Sequence, residues 1–185
     1  MSPTLRKVLI WVGGIVAFFA LALFGFYQYT KSHSPKATAE SSANGLNINV
    51  VYCQPSVKGR VVFGTEAEGA LQPHGVFWRV GANEATEIEF AQKVNFGGAP
   101  IEAGRYVLYA VPGESEWTIG LNSELGRWGV PEVDHALDIV QIQTTAQQMP
   151  ASTEMMTISF EPAGNGVVMY IDWDKTRVPV PISAG

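Results

Sequence analysis

The run Tyr106-Val-Leu-Tyr-Ala-Val-Pro-Gly-Glu-Ser-Glu-Trp-Thr-Ile-Gly-Leu-Asn122 carries two strand patterns with a turn between them. Residues 106–111 are apolar on both faces, as expected of a central strand or one whose second face is covered. Pro112-Gly113 breaks the run as a turn. Beyond it, Trp117, Ile119 and Leu121 alternate with Thr118, Gly120 and Asn122, the period of two of a strand with one buried face. The same alternation places Thr86, Ile88 and Phe90 against Glu87 and Glu89, and Met156, Ile158 and Phe160 against Thr157 and Ser159. Residues 167–171 are again apolar on both faces, and Gly97-Gly98 and Asn165-Gly166 supply further turns. In Arg177-Val-Pro-Val-Pro-Ile182 two prolines alternate with Val178, Val180 and Ile182. Proline cannot donate to a ladder, so this strand is expected at a sheet edge. The pattern predicts an all-β domain of eight to ten short antiparallel strands, folded as a jelly-roll-like β-sandwich rather than a closed barrel.

Upstream the chain changes character. Residues 8–27, VLIWVGGIVAFFALALFGFY, carry no charge. At about 1.5 Å per residue such a helix reaches roughly 30 Å, the thickness of a bilayer's hydrocarbon core. Trp11 sits near one end and Tyr27 and Tyr29 at the other, where amphipathic rings favour the interface. The expected organisation is a short cytoplasmic tail over 1–7, a transmembrane helix over 8–28, a flexible stalk over 29–45 and a β-sandwich over 46–185. The alternative is a cleaved signal peptide, whose apolar stretch is usually about 7–15 residues. Ala37-Thr38-Ala39 offers a small-x-small cleavage pattern, but it lies ten residues past Tyr27. Arg6 and Lys7 balance Lys31 and Lys36, and the short tail with its free amine favours an internal N-terminus.

Composition narrows the function classes. Of 185 residues only 16% are charged, against roughly 25% in an ordinary soluble domain. All 17 acidic residues follow position 36 together with eight of the 12 basic ones, a net of −9 that opposes nucleic-acid binding. One cysteine, Cys53, excludes an intramolecular disulfide framework and a thiolate zinc site, and reads as a buried, inert thiol. Glu132, Asp134 and His135 would have to converge from one short loop to bind a metal, and no HxH or HExxH spacing supports that. No metal or other cofactor is expected.

The most polar segment between strand patterns is Trp78-Arg-Val-Gly-Ala-Asn-Glu-Ala-Thr86. Arg79, Asn83, Glu84 and Thr86 could floor a ligand pocket, or Arg79 and Glu84 could pair while Asn83 and Thr86 satisfy a turn. Lys58 and Arg60, two cations around Gly59, form a second candidate for anion capture, without the spacing of a phosphate-binding loop. Trp78, Trp117, Trp128 and Trp173 could stack on a sugar, but most fall in apolar runs and suit a core. No catalytic residues are assigned.

These strings carry a resemblance. Val51-Tyr-Cys-Gln-Pro-Ser-Val-Lys-Gly-Arg60, Phe77-Trp-Arg-Val-Gly-Ala-Asn-Glu-Ala-Thr86, Ala103-Gly-Arg-Tyr-Val-Leu108, Glu116-Trp-Thr118, Trp128-Gly129 and Trp173-Asp-Lys-Thr-Arg-Val-Pro-Val-Pro-Ile182 resemble the bacterial domain of unknown function 2911 family. The resemblance implies a secreted or membrane-attached envelope domain, often of Gram-negative bacteria, and brings no activity or catalytic residues. With the helix retained, the expectation is a single-pass inner-membrane protein whose C-terminal domain lies in the periplasm. It would meet the lipid bilayer through residues 8–28 and bind a small molecule, a glycan or an envelope protein through Arg79, Asn83, Glu84 and Thr86, with Lys58 and Arg60. Two alternatives stay open: an envelope hydrolase of polysaccharide or ester with Glu84 as acid or base, and a structural subunit of an envelope assembly.

Overall fold

Apolar alternation becomes two antiparallel sheets in the computed structural model, which describes residues 2–185. The first sheet has six strands: β1 (Lys36–Ser41), β2 (Ile48–Cys53), β5 (Thr86–Phe90), β8 (Gly104–Val111), β9 (Glu116–Asn122) and β10 (Asp138–Thr145), in that order. The second has four, in the order β11 (Gln147–Ala163), β12 (Gly166–Ala184), β6 (Val94–Phe96) and β7 (Ala99–Ile101). Two short segments, β3 (Phe63–Gly64) and β4 (Gln72–Pro73), pair in parallel beside them.

The two sheets share one core, the mark of a sandwich. Ile88, Phe90, Ile119 and Leu121 of the first sheet are buried in a single cluster with Phe96, Ile158, Met169, Ile171 and Val180 of the second. Tyr52 links the layers through a polar contact, since its hydroxyl accepts from the Ile158 amide at 3.0 Å. On the outer face of the first sheet a smaller cluster, Ala85, Val107, Tyr109 and Val133, is covered by the chain after β9. That second cover explains why 106–111 is apolar on both faces. Tyr109 lies opposite Gly120 in the β8–β9 register, and a Cβ on Gly120 would fall 2.1 Å from the tyrosine ring. The missing side chain is what admits the ring.

An aromatic cluster ties these parts together. Phe63 meets Trp117, Trp78 and Trp173 edge-on at 4.7, 5.3 and 5.7 Å between centroids, and Trp78 stacks on Trp173 at 5.8 Å. Three of the four tryptophans weighed for sugar stacking are therefore core, and Trp128 alone of those four is exposed.

Three expectations are corrected. Residues 29–45 are no flexible stalk: the apolar helix α1 runs Pro3–His33, β1 follows after two residues, and 43–45 form a 3-10 turn. Ser, Ala and Thr hid an edge strand there, whose residues pair one for one with β2 from Lys36↔Cys53 to Ser41↔Ile48. The proline-containing strand is not at an edge either. It is the second half of β12, which pairs with β11 up to Arg177 and with β6 from Ile182 onward. Pro179 and Pro181 fall between the two ladders, where no amide is needed. Last, the strands number twelve among the described residues, two of them, β3 and β4, only two residues long, and two strands of 17 and 19 residues are far from short.

Helix α1 has 31 residues and is the one described helix long and apolar enough to cross a membrane. None of its residues is buried. The chain divides into this unit and a second, Ser34–Gly185, which holds all the strands.

Removing one ring tests the aromatic cluster. In urea unfolding of the detergent-solubilised chain followed by circular dichroism, Trp117→Ala is expected to lower stability by about 3–5 kcal/mol. Val61→Ala, at an exposed position, should stay within about 0.5 kcal/mol of wild type.

Candidate functional site

The segment before β5 is shaped by its backbone. Trp78 exchanges both amide hydrogen bonds with Ala110, at 2.7 and 2.8 Å, which fixes the start of the loop against β8. The chain then turns through three residues at positive φ: Val80 at 52°, Gly81 at 144° and Asn83 at 59°. A β-branched residue is rare in that region, and buried Val80 is held there by its surroundings. A Cβ on Gly81 would sit 2.7 Å from the Cys53 carbonyl oxygen, so only glycine lets the loop lie this close to β2.

Most of the polar side chains in this segment serve that loop. The Thr86 hydroxyl donates to the Val80 carbonyl at 2.5 Å. Asn83 donates from Nδ2 to the Ser34 carbonyl at 3.4 Å, and its own carbonyl accepts from the Gly129 amide at 2.9 Å. Arg79 Nη1 donates to the same Asn83 carbonyl at 3.0 Å, and burial lowers the pKa of its guanidinium. Gly129 is required by this packing, because a Cβ there would meet Arg79 Cδ at 2.0 Å. Arg79, Asn83 and Thr86 thus build the loop, and Glu84 is the member that faces a cavity.

That cavity, about 160 Å³, is lined by Lys36, Val51, Tyr52, Cys53, Glu84, Ala85, Glu87, Gly126 and Arg127. Lys36 begins β1, opposite Cys53 at the end of β2, and Glu87 belongs to β5. Glu84 forms a bridge with Trp128, and the Ala85 amide donates to the Arg127 carbonyl at 3.2 Å, so the 124–130 loop closes one side. The Cys53 thiol lies 3.5 Å from Glu84 Oε2. Glu87 is committed to structure: its Oε1 accepts the Gly126 amide at 2.8 Å, and Oε2 lies 3.8 Å from Arg105. Arg127 is the most constrained group. Its side chain is only 10% exposed, Nη2 donates to the carbonyls of Pro131 and Glu132 at 2.5 and 3.0 Å, and Nε is 3.5 Å from Glu124 Oε2. Nη1 is buried with no hydrogen-bond partner. Sequence reasoning passed over Arg127 and Lys36: the first belongs to no motif, and the second read as a membrane flank.

Lys58 and Arg60 do not line this cavity. Arg60 folds back on its own loop, donating to the Val57 and Ser56 carbonyls at 3.0 and 2.5 Å, and the Lys58 amide donates to Glu154 at 3.0 Å.

A second polar cluster lies where β10 begins. His135 is clamped at both ring nitrogens, Nε2 to Glu132 at 2.9 Å and Nδ1 to Asp138 at 2.7 Å. Asp138 also accepts from Tyr109, Asn122 and Gln141 at 2.7, 2.8 and 2.9 Å. The hydrogen bond to Glu132, then that to Asp138, raises the His135 pKa above its ordinary 6.5. Burial alone would raise Asp138, but the bonds from Asn122, Tyr109, His135 and Gln141 outweigh it and hold the carboxyl below 3.8. Burial, then the Asp138 contact, pushes the Tyr109 phenol well above its usual range. With both His135 nitrogens taken by carboxylates, the cluster is a clamp on the 132–138 turn.

The family model described as Protein of unknown function (DUF2911) matches residues 34–182. The chain belongs to that family. No curated protein and no solved structure is matched. The DUF2911 match begins at Ser34, where the second structural unit begins, so it includes β1 and Lys36 and leaves the apolar helix outside.

Two outcomes follow from this geometry. Gly129→Ala should displace Arg79 and lower stability by about 1–3 kcal/mol, read as a fall in Tm. The His135 contribution is complete below its ordinary value of 6.5 and is lost as pH rises through the raised one, while that of Asp138 is present above 3.8 and is lost as pH falls through its lowered one. Amide-exchange protection of the 132–138 turn should therefore peak in mild acid, between 3.8 and 6.5, and His135→Gln should remove the decline on the alkaline side.

Proposed function

We propose that the chain is a single-pass bacterial inner-membrane protein, anchored by α1, whose outer domain binds a small polar ligand in the cavity between Glu84 and Arg127. The observation that carries the reading is Arg127, a guanidinium nine-tenths buried at a cavity wall with Nη1 unpaired. A buried guanidinium N–H left without an acceptor is costly, and an acidic group on a ligand supplies that acceptor with a charge-assisted bond. Lys36 adds a second cation at the rim, and Glu84 adds a carboxylate, so the lining suits a molecule with both signs of charge. Arg79, Asn83 and Thr86 position this wall without entering it.

The retained anchor has support of its own. The small-x-small string Ala37-Thr38-Ala39 lies inside β1, paired with Tyr52, Val51 and Val50 of β2. Cleavage after it would remove Lys36 from the cavity, the Ser34 carbonyl from Asn83 and most of the edge strand. Arg6 and Lys7, which flank the apolar run on its N-terminal side, are in keeping with a cytoplasmic N-terminus and a periplasmic domain.

Thermal-shift measurements on the detergent-solubilised chain test the site, with inorganic phosphate, succinate, glutamate and glucosamine as probes at millimolar concentration. Glutamate, which carries both signs, is expected to raise Tm most, since a ligand at about 100 times its Kd adds about 2.7 kcal/mol. Glu84→Gln and Lys36→Met should each abolish that rise and leave the unliganded Tm within a few degrees. No rise with any probe, or a rise that survives both substitutions, would overturn the site. Turnover of p-nitrophenyl acetate, added separately as an ester probe and lost in Glu84→Gln, would make the domain a hydrolase.

A further inference from the structure

Exposed apolar side chains in the folded unit are not scattered. Large hydrophobics exposed there are Val61, Val76, Leu125, Trp128, Val130, Leu137 and Ile139, and five of these seven fall within 125–139. The sharpest group is the loop after β9, where Leu125 is 45% exposed, Trp128 43% and Val130 52%. Exposed apolar side chains concentrated in one segment of an otherwise acidic domain suit a contact surface. The carboxylates beside these residues are held in ion pairs, which lessens the local charge without cancelling it. Glu124 lies 3.5 Å from Arg127 Nε, Glu132 2.9 Å from His135, and Asp138 2.7 Å from the other nitrogen of that ring.

Position names the partner. The folded unit begins at Ser34, whose carbonyl accepts from Asn83, and the Asn83 carbonyl accepts from Gly129. Gly129 sits between Trp128 and Val130, so the patch lies two hydrogen bonds from the point where the chain arrives from α1. Only Ser34 and Pro35 separate α1 from β1. The helix continues six residues past Tyr27, which is about 9 Å at 1.5 Å per residue. The headgroup layer of one leaflet is roughly 5–8 Å deep. With the apolar run in the bilayer, the chain supplies no long linker between α1 and β1. Tryptophan prefers the depth of the headgroup layer, its ring among the acyl-chain ends and its N–H in the wet layer.

We propose that the 125–130 loop docks the domain on the lipid bilayer, with Trp128 seated at the headgroup boundary and Leu125 and Val130 beside it. The proposal rests on α1 being a retained anchor; the loop also lends Gly126 and Arg127 to the cavity wall, but its docking requires no ligand there. Its partner is the interface of the leaflet that α1 leaves, and zwitterionic lipid suffices for it.

Nitroxide accessibility on the full chain in phosphatidylcholine nanodiscs is the test. Single cysteines are placed by Trp128→Cys, Val130→Cys, Val61→Cys and Leu21→Cys in a Cys53→Ser background. Each is spin-labelled and probed with oxygen, which partitions into lipid, and with a water-soluble nickel chelate. Labels at 128 and 130 are expected to gain oxygen accessibility and lose nickel accessibility by several-fold relative to the label at 61. The label at 21 reports the anchor separately: if it is water-accessible, the anchor itself fails. If 21 is in lipid but 128 and 130 match 61, docking is overturned with the anchor intact. If 128 and 130 are shielded from both reagents, protein covers the patch and the lipid assignment is overturned.

Discussion

Four aromatic rings hold the rest of the domain in place. Phe63 sits in a segment outside both large sheets, Trp78 in the loop before β5, Trp117 in the first sheet and Trp173 in the second. Their mutual contacts join both sheets to the loop that bears Arg79, Asn83 and Glu84. Because Trp78 is pinned there and also hydrogen-bonds Gly81 through its indole at 3.3 Å, the following residues must turn sharply, through positive φ, to reach β5. The geometry of the candidate site is thus set by packing several residues upstream of it. Edge-to-face contacts are directional, so the cluster fixes angles as well as distances.

The sheet that carries the site was legible where one face alternates, as at Thr86, Ile88 and Phe90, all buried with Glu89 exposed. Pairing partners were not, since alternation names faces and says nothing about neighbours. Lys36–Ser41 was missed as a strand because an edge strand buries little: only Ala39 of its six residues is buried, and its polar composition matches that of a linker. The prolines of β12 misled for a related reason. A proline excludes a ladder bond at its own position, and a long strand can accommodate two of them where it changes partners.

The site was legible only in part. The 78–86 segment is visible as a polar string, yet three of its four singled-out side chains are spent on backbone carbonyls. The cavity depends on Lys36, Cys53, Glu84 and Arg127, which are far apart in sequence and meet only through the pairing of β1 with β2 and the return of the 124–130 loop. No local spacing encodes such a meeting. The His135 cluster is the reverse case, since Glu132, His135 and Asp138 are close in sequence and their spacing of three does bring them together, as an ion-paired clamp around the ring.

Cys53 closes β2 with its side chain buried beside Glu84. In the oxidising compartment where the proposal places this domain, an accessible lone thiol would link chains into covalent pairs or be capped by small thiols. Cys53 is only 3% exposed although it lines the cavity, so both fates are slowed as long as β1 stays zipped to β2. The rate at which an alkylating reagent consumes the thiol then becomes a clock for opening of that edge, and so for how often the wall of the cavity comes apart.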